Sequence, residues 1–135
     1  MGSEPIVQIV THFMRRGYKV EQEDTFFVVA TDDDEIEFLL FYFYEYIQIV
    51  YVFPINEKAK NDRFDTLERL NVFNEVALIS RANFVDEDNI SISAFFPNFY
   101  EPELFATFFD TYLNDLAIMY GDKFNIFDLL PDEEE

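Results

Sequence analysis

Ile6, Val7, Ile9, Val10, Phe13 and Met14 recur near a 3.6-residue period, with Gln8, Thr11, His12, Arg15 and Arg16 between them. That spacing predicts an amphipathic helix. Pro5 suits its first turn, Arg15 and Arg16 its electronegative end, and Gly17 the position just past it. The period then falls to two. Residues 18–22 and 25–30 read as short strands about Glu23-Asp24, and Asp32-Asp33-Asp34-Glu35 is a second polar break.

Beyond that break Ile36, Phe38 and Leu40 alternate at first with Glu35 and Glu37, so even positions begin as the buried face; after Glu45 the better apolar set is odd, Ile47, Ile49, Tyr51 and Phe53. A two-residue pattern that changes phase needs a bulge or a turn. Extended throughout, residues 36–53 would span about 60 Å at about 3.3 Å each, too long for one domain of this size. Two strands bent near Tyr44-Glu45-Tyr46 satisfy both constraints. A membrane helix does not: it needs about 20 apolar residues, a central carboxylate costs about 3 kcal/mol, and the β-branched and aromatic content favours strands.

Residues 54–64 read as a polar loop, and Asp65-Thr66-Leu67-Glu68 has capping-box spacing ahead of a helix with Leu67, Leu70, Phe73, Val76 and Ala77 on its apolar face. A hairpin follows, with strands at 79–85 and 90–96 and a turn at 86–89. Pro102 opens a third helix, striped by Phe105, Phe108, Phe109, Tyr112, Leu113, Leu116 and Tyr120 and closed by Gly121. Residues 124–130 read as a short apolar addition, and 131–135 as an acidic disordered tail. The order α-β-β-β-β-α-β-β-α predicts an α+β fold, an antiparallel meander sheet with helices packed on one face, in a single domain over residues 1–130.

Composition then narrows function. The chain of 135 residues is 50% hydrophobic, with eighteen Phe, eight Tyr and no Trp, which supports a sizeable core. No Cys means no disulfide, thiolate nucleophile or cysteine-held metal, and fits a cytoplasmic setting. The N-terminus lacks the pattern of a signal peptide. Net charge is −19, spread unevenly: residues 1–81 hold 15 acids and 8 bases, residues 82–135 hold 13 acids and 1 base. Such a field repels phosphate backbones and anionic lipid and favours basic partners.

Candidate chemistry is sparse. His12, the one histidine, falls with Arg15 and Arg16 on the polar side of the first helix and reads as solvated rather than as a general base. No serine sits in a nucleophile elbow. Asp86-Glu87-Asp88 fails the calcium-loop pattern, with Ser91 and Pro97 where Gly and Glu are required, so it and residues 32–35 read as charged turns. No cofactor, metal or catalytic residue is expected. The strands of 38–53 are different, because both their faces are apolar: Phe38, Leu40 and Tyr42 on one, Leu39, Phe41 and Phe43 on the other. One layer of helices covers one face. The other is expected to meet a second copy in a homodimer, another protein or a long loop, with Phe41, Phe43 and Tyr51 as candidate protein-binding residues.

Residues 69–97, RLNVFNEVALISRANFVDEDNISISAFFP, resemble the centre of the YbjN family: the helical pair Asn71 and Asn74, then Arg81, Ala82 and Asp86 in a strand, with Asp88-Asn89 in the hairpin. The order of elements over residues 5–121 is similar as well. The resemblance implies a fold like that of type III secretion chaperones, often dimeric, in bacterial regulators that are chaperone-like rather than enzymatic, with no catalytic residues to carry over. The competing reading is an acidic immunity or inhibitor protein, a nucleic-acid mimic among the options, that neutralises a basic partner.

Overall fold

The computed structural model describes residues 4–31, 36–43 and 45–131. The acidic run 32–35, Tyr44 at the expected bend and the tail 132–135 lie outside them. The fold is α+β, with helix α1 (Pro5–Arg15), strands β1 (Lys19–Gln22), β2 (Phe26–Ala30), β3 (Glu37–Tyr42) and β4 (Tyr46–Pro54), helices α2 (Glu57–Asn61) and α3 (Arg63–Val76), strands β5 (Arg81–Phe84) and β6 (Asn89–Pro97), and helix α4 (Pro102–Leu116). The strands form one six-stranded antiparallel sheet in the order β1-β2-β3-β4-β6-β5. The chain divides into two compact units, Met1–Tyr51 with Ala94–Asp110, and Val52–Ser93 with Thr111–Glu135. No helix among the described residues is long and apolar enough to cross a membrane.

In the first unit α1 runs over the expected residues and stops at Gly17, whose φ of +91° is the left-handed conformation glycine adopts freely. The change of phase falls where β3 gives way to the antiparallel β4, with Phe43 N donating to Tyr46 O at 2.9 Å. Leu40 pairs with Ile49 and Phe41 with Gln48, so even positions of β3 share a face with odd positions of β4. That face is the core. Phe13 of α1 meets Phe105 and Phe109 of α4 edge-on, at 5.5 and 4.9 Å between centroids, and Phe109 meets Phe38 of β3 at 5.7 Å. Edge-to-face contacts of this kind suit the ring quadrupole and fill volume with no polar atom to satisfy.

The second unit departs further from the sequence reading. Residues 57–61 of the expected loop form α2, capped by Asn56, whose Oδ1 accepts from Ala59 N at 2.8 Å. The α3 cap is Asp62, which accepts from Asp65 N at 3.1 Å; Asp65 instead lies inside the helix and pairs with Arg69 at 3.0 Å. Thr66, Leu70 and Phe73 face the core of this unit, while Leu67 and Val76 are exposed. Thr66 is compatible with burial because its hydroxyl donates to Ala59 O at 2.9 Å. The C-terminal segment is core, not an addition: Phe124, Ile126 and Leu129 are buried. Arg69 Nη1 donates to Phe124 O at 2.6 Å, and Asn56 Nδ2 to Asp128 O at 2.9 Å. The α4 helix passes into a 3-10 turn, Ala117–Tyr120, which leaves Tyr120 exposed, and Gly121 ends it with extended backbone rather than the left-handed form.

Two polar braces complete that unit. Asp115, buried, accepts from Leu78 N, Ile79 N, Ser80 N and Ser80 Oγ at 2.9, 3.0, 3.0 and 2.7 Å. A carboxylate is the acceptor that can hold this many donors at once. Asn74 Oδ1 accepts from Ala82 N at 2.7 Å and Nδ2 donates to Ala82 O at 3.1 Å, so one side chain serves both backbone groups of an outermost-strand residue.

Candidate protein-binding surface

The register defines what lies opposite the core in the first unit. Phe26 pairs with Phe41, Val28 with Leu39 and Leu39 with Val50, which sets Phe26, Val28, Leu39, Phe41, Gln48 and Val50 on the outer face. Phe26 and Phe41 stack obliquely at 5.4 Å. Nearer the junction of β3 and β4, Phe43 lies 4.8 Å from Tyr46, and Tyr46 lies 5.0 Å from Phe95 of β6 with the ring planes at 83°. The rings of this second group stay open to solvent: Phe43, Tyr46 and Phe95 are 39%, 38% and 55% exposed. Glu45, Tyr46, Phe95, Phe96 and Pro97 line a shallow recess of about 520 Å³. Its backbone is fixed from within the unit by Asn98 N donating to Glu45 O at 3.1 Å.

The margins of this face are acidic. Glu21 pairs with Val28, Glu37 with Ala30, and Glu45 borders the recess, with Lys19 as the base that the same register places there. Of these, Glu45 is the carboxylate beside the exposed rings, whereas Glu37 lies at the far end of β3 and Glu21 on β1.

The candidates Phe41, Phe43 and Tyr51 are not brought together. Phe41 is half-buried and Phe43 exposed on the outer face, whereas Tyr51 follows Ile47 and Ile49 onto the core face, where its ring lies 6.2 Å from Phe38. Counting odd positions straight through the bend crossed from one face to the other. Tyr46 and Phe95 escaped the sequence reading. For Phe95 a signal exists: it alternates with Ser91 and Ser93 on β6, an aromatic where the pattern calls for a polar residue.

His12 is not a solvated surface group. Its Nδ1 lies 2.8 Å from the Tyr100 hydroxyl, and its ring meets Phe105 at 5.1 Å and Tyr100 at 5.8 Å. Burial, and then the Arg16 charge, hold its pKa below the ordinary value of 6.5 against the opposing pull of Asp110. This is a packed histidine that favours its neutral form. The Asp86 carboxylate is engaged in its own turn, accepting from Asp88 N at 2.7 Å and Asn89 Nδ2 at 3.2 Å, and these bonds lower its pKa. Among the described residues no group of three His, Asp or Glu side chains is arranged to hold a metal ion.

No family model and no curated protein matches the sequence. Solved structures do match in fold. The chain is similar to the crystal structure of YbjN from E. coli, described as a candidate transcription regulator, with a TM-score of 0.70, 11% identity, and coverage of 93% of this chain and 96% of that one. It is also similar to an uncharacterized protein from Methanothermobacter thermautotrophicus, with a TM-score of 0.62, 6% identity, and coverage of 86% and 94%. At such identities the likeness is one of fold, and the fold is that of YbjN.

Proposed function

We propose that this chain is a non-enzymatic protein-binding module, an adaptor or chaperone-like regulator, whose outer sheet face receives a partner protein. One observation carries the reading: the continuous ring path Phe43–Tyr46–Phe95, open to solvent on the face opposite the aromatic core. Exposed aromatics in contact with one another are characteristic of interface centres, where large rigid groups gain most from losing water. The fold likeness to a protein described as a regulator supports the same class. The acidic margins and a net charge of −19 argue against direct contact of this face with nucleic acid.

Affinity capture from cell extract, run in parallel with the wild type and with Tyr46→Ser and Phe95→Ser, tests the reading. Loss of a captured protein in variants that still melt cooperatively is the expected result. Equal capture by wild type and variants would move the binding site elsewhere. An inhibitor that worked through charge alone would give that second result, since neither substitution alters charge.

A further inference from the structure

We propose that the recess beside Tyr46 and Phe95 takes the cationic side chain of an arginine or lysine, carried by a partner segment that is otherwise apolar. This rests on the protein-binding reading and adds the chemistry of the partner. The recess joins three features that favour a cation. Tyr46 and Phe95 meet edge to face, with ring planes at 83° and centroids 5.0 Å apart, and both stay exposed, so they form an aromatic corner against whose open side a cation can lie. Phe43, 4.8 Å from Tyr46, extends the aromatic wall. The carboxylate-bearing Glu45 stands at the border of the same recess. Aromatic faces carry negative quadrupole potential, and a guanidinium both stacks on rings and forks onto a carboxylate.

Charge selects the occupant. The margins hold Glu21, Glu37 and Glu45 in a chain of net charge −19. A second copy would bring the same acidic margin against this one, and an acidic partner would fare worse. A basic segment gains from the whole field during approach and from the recess once docked. The apolar groups Phe41, Leu39 and Val28 on the same face account for the apolar part of the segment.

The test uses the full chain and three acetylated, amidated synthetic peptides in which Phe and Ile alternate with Arg, with Gln or with Glu. Binding is measured by fluorescence anisotropy in 0.15 and 0.5 M salt, where screening removes most long-range attraction. The Arg peptide is expected to bind about tenfold or more tighter than the Gln peptide and to keep that preference at 0.5 M salt. Tyr46→Leu and Phe95→Leu, which leave charge unchanged, should erase the preference, so that the Arg and Gln peptides bind alike, and Glu45→Gln should reduce it. Glu45 is exposed, so this last variant preserves the test if a Leu variant fails to fold. A preference that survives both Leu substitutions would be general attraction and would overturn the proposal. Equal binding of the Arg and Gln peptides would overturn it too, yet leave the apolar protein-binding reading standing. No binding of any peptide at about 1 mM, a concentration at which even weak docking registers, would count against both. A dimer seen by light scattering and lost in Phe95→Leu would mean that a second copy fills the recess, which also overturns it.

Discussion

Phe13, Phe38, Phe105 and Phe109 on one side of the first unit's sheet, and Phe26, Phe41, Phe43, Tyr46 and Phe95 on the other, are chemically alike and differently used. The first set is buried, with edge-on contacts between α1, α4 and β3. The second keeps its rings at similar spacing, and three of them hold more than a third of their surface in water. Ring–ring contact alone therefore does not separate core from surface. The difference lies in what stands behind the ring: a helix on one face, solvent on the other. A face built this way loses apolar free energy in the isolated chain and recovers it when another surface arrives.

The sharpest way to break the comparison is truncation on both faces. Phe13→Ala should cost about 3–5 kcal/mol in urea melts, whereas Phe95→Ala should change stability by less than about 1 kcal/mol. Similar costs for the two would mean that the faces are energetically equivalent. The second unit offers a polar counterpart of the ring core. Asp115→Ala should lose about 3 kcal/mol, because it strands donors gathered at Leu78, Ile79 and Ser80. A change below about 1 kcal/mol would show that water replaces the carboxylate. Between the faces, Tyr51→Ser should destabilise by about 2 kcal/mol through lost burial, and Phe41→Ser by about half that. The reverse order would mean that the outer face contributes more to folding than the core face at these two half-buried positions.

The smallest effect is expected from pH. The folded-state pKa of His12 lies below the unfolded value, so the unfolded chain takes up this proton first as pH falls. The associated stability is intact above the ordinary histidine pKa and is lost as pH drops through the window beneath it. Urea melts at pH 7.5 and 5.5 should show a larger acid-induced loss in the wild type than in His12→Gln. The variant cancels the general effect of neutralising carboxylates. Identical pH responses would mean that the ring is solvated after all.

Much of this was legible in the residues. The order of the main elements, the end of α1 at Gly17 and the even-then-odd core face of residues 38–53 follow from period and punctuation, which are local properties. What was hidden depends on contacts distant in sequence. Thr66 looks polar until Ala59 O is placed beside its hydroxyl. His12 looks exposed until Tyr100, eighty-eight residues away, reaches its Nδ1. The segment holding Phe124 looks dispensable until Arg69 grips its carbonyl. The candidate surface was half legible: an apolar second face follows from alternation, but the junction of β3 and β4 joins Phe43 to Tyr46 and the sheet adds Phe95, and no pattern within 38–53 contains that third ring.

Asn74 has a consequence for how this protein can fail. A strand at the margin of a sheet is a template, and a fibril grows when each new chain finds such a template unoccupied. At β5 the template is blocked at Ala82, since one amide imitates the backbone of an absent neighbour and holds both groups of that residue. An incoming strand must first evict a side chain that is covalently tethered to the same molecule and therefore always present at high local concentration. Propagation through β5 is opposed by competition rather than by repulsion. That protection does not weaken with added salt, whereas any protection from the −19 charge does.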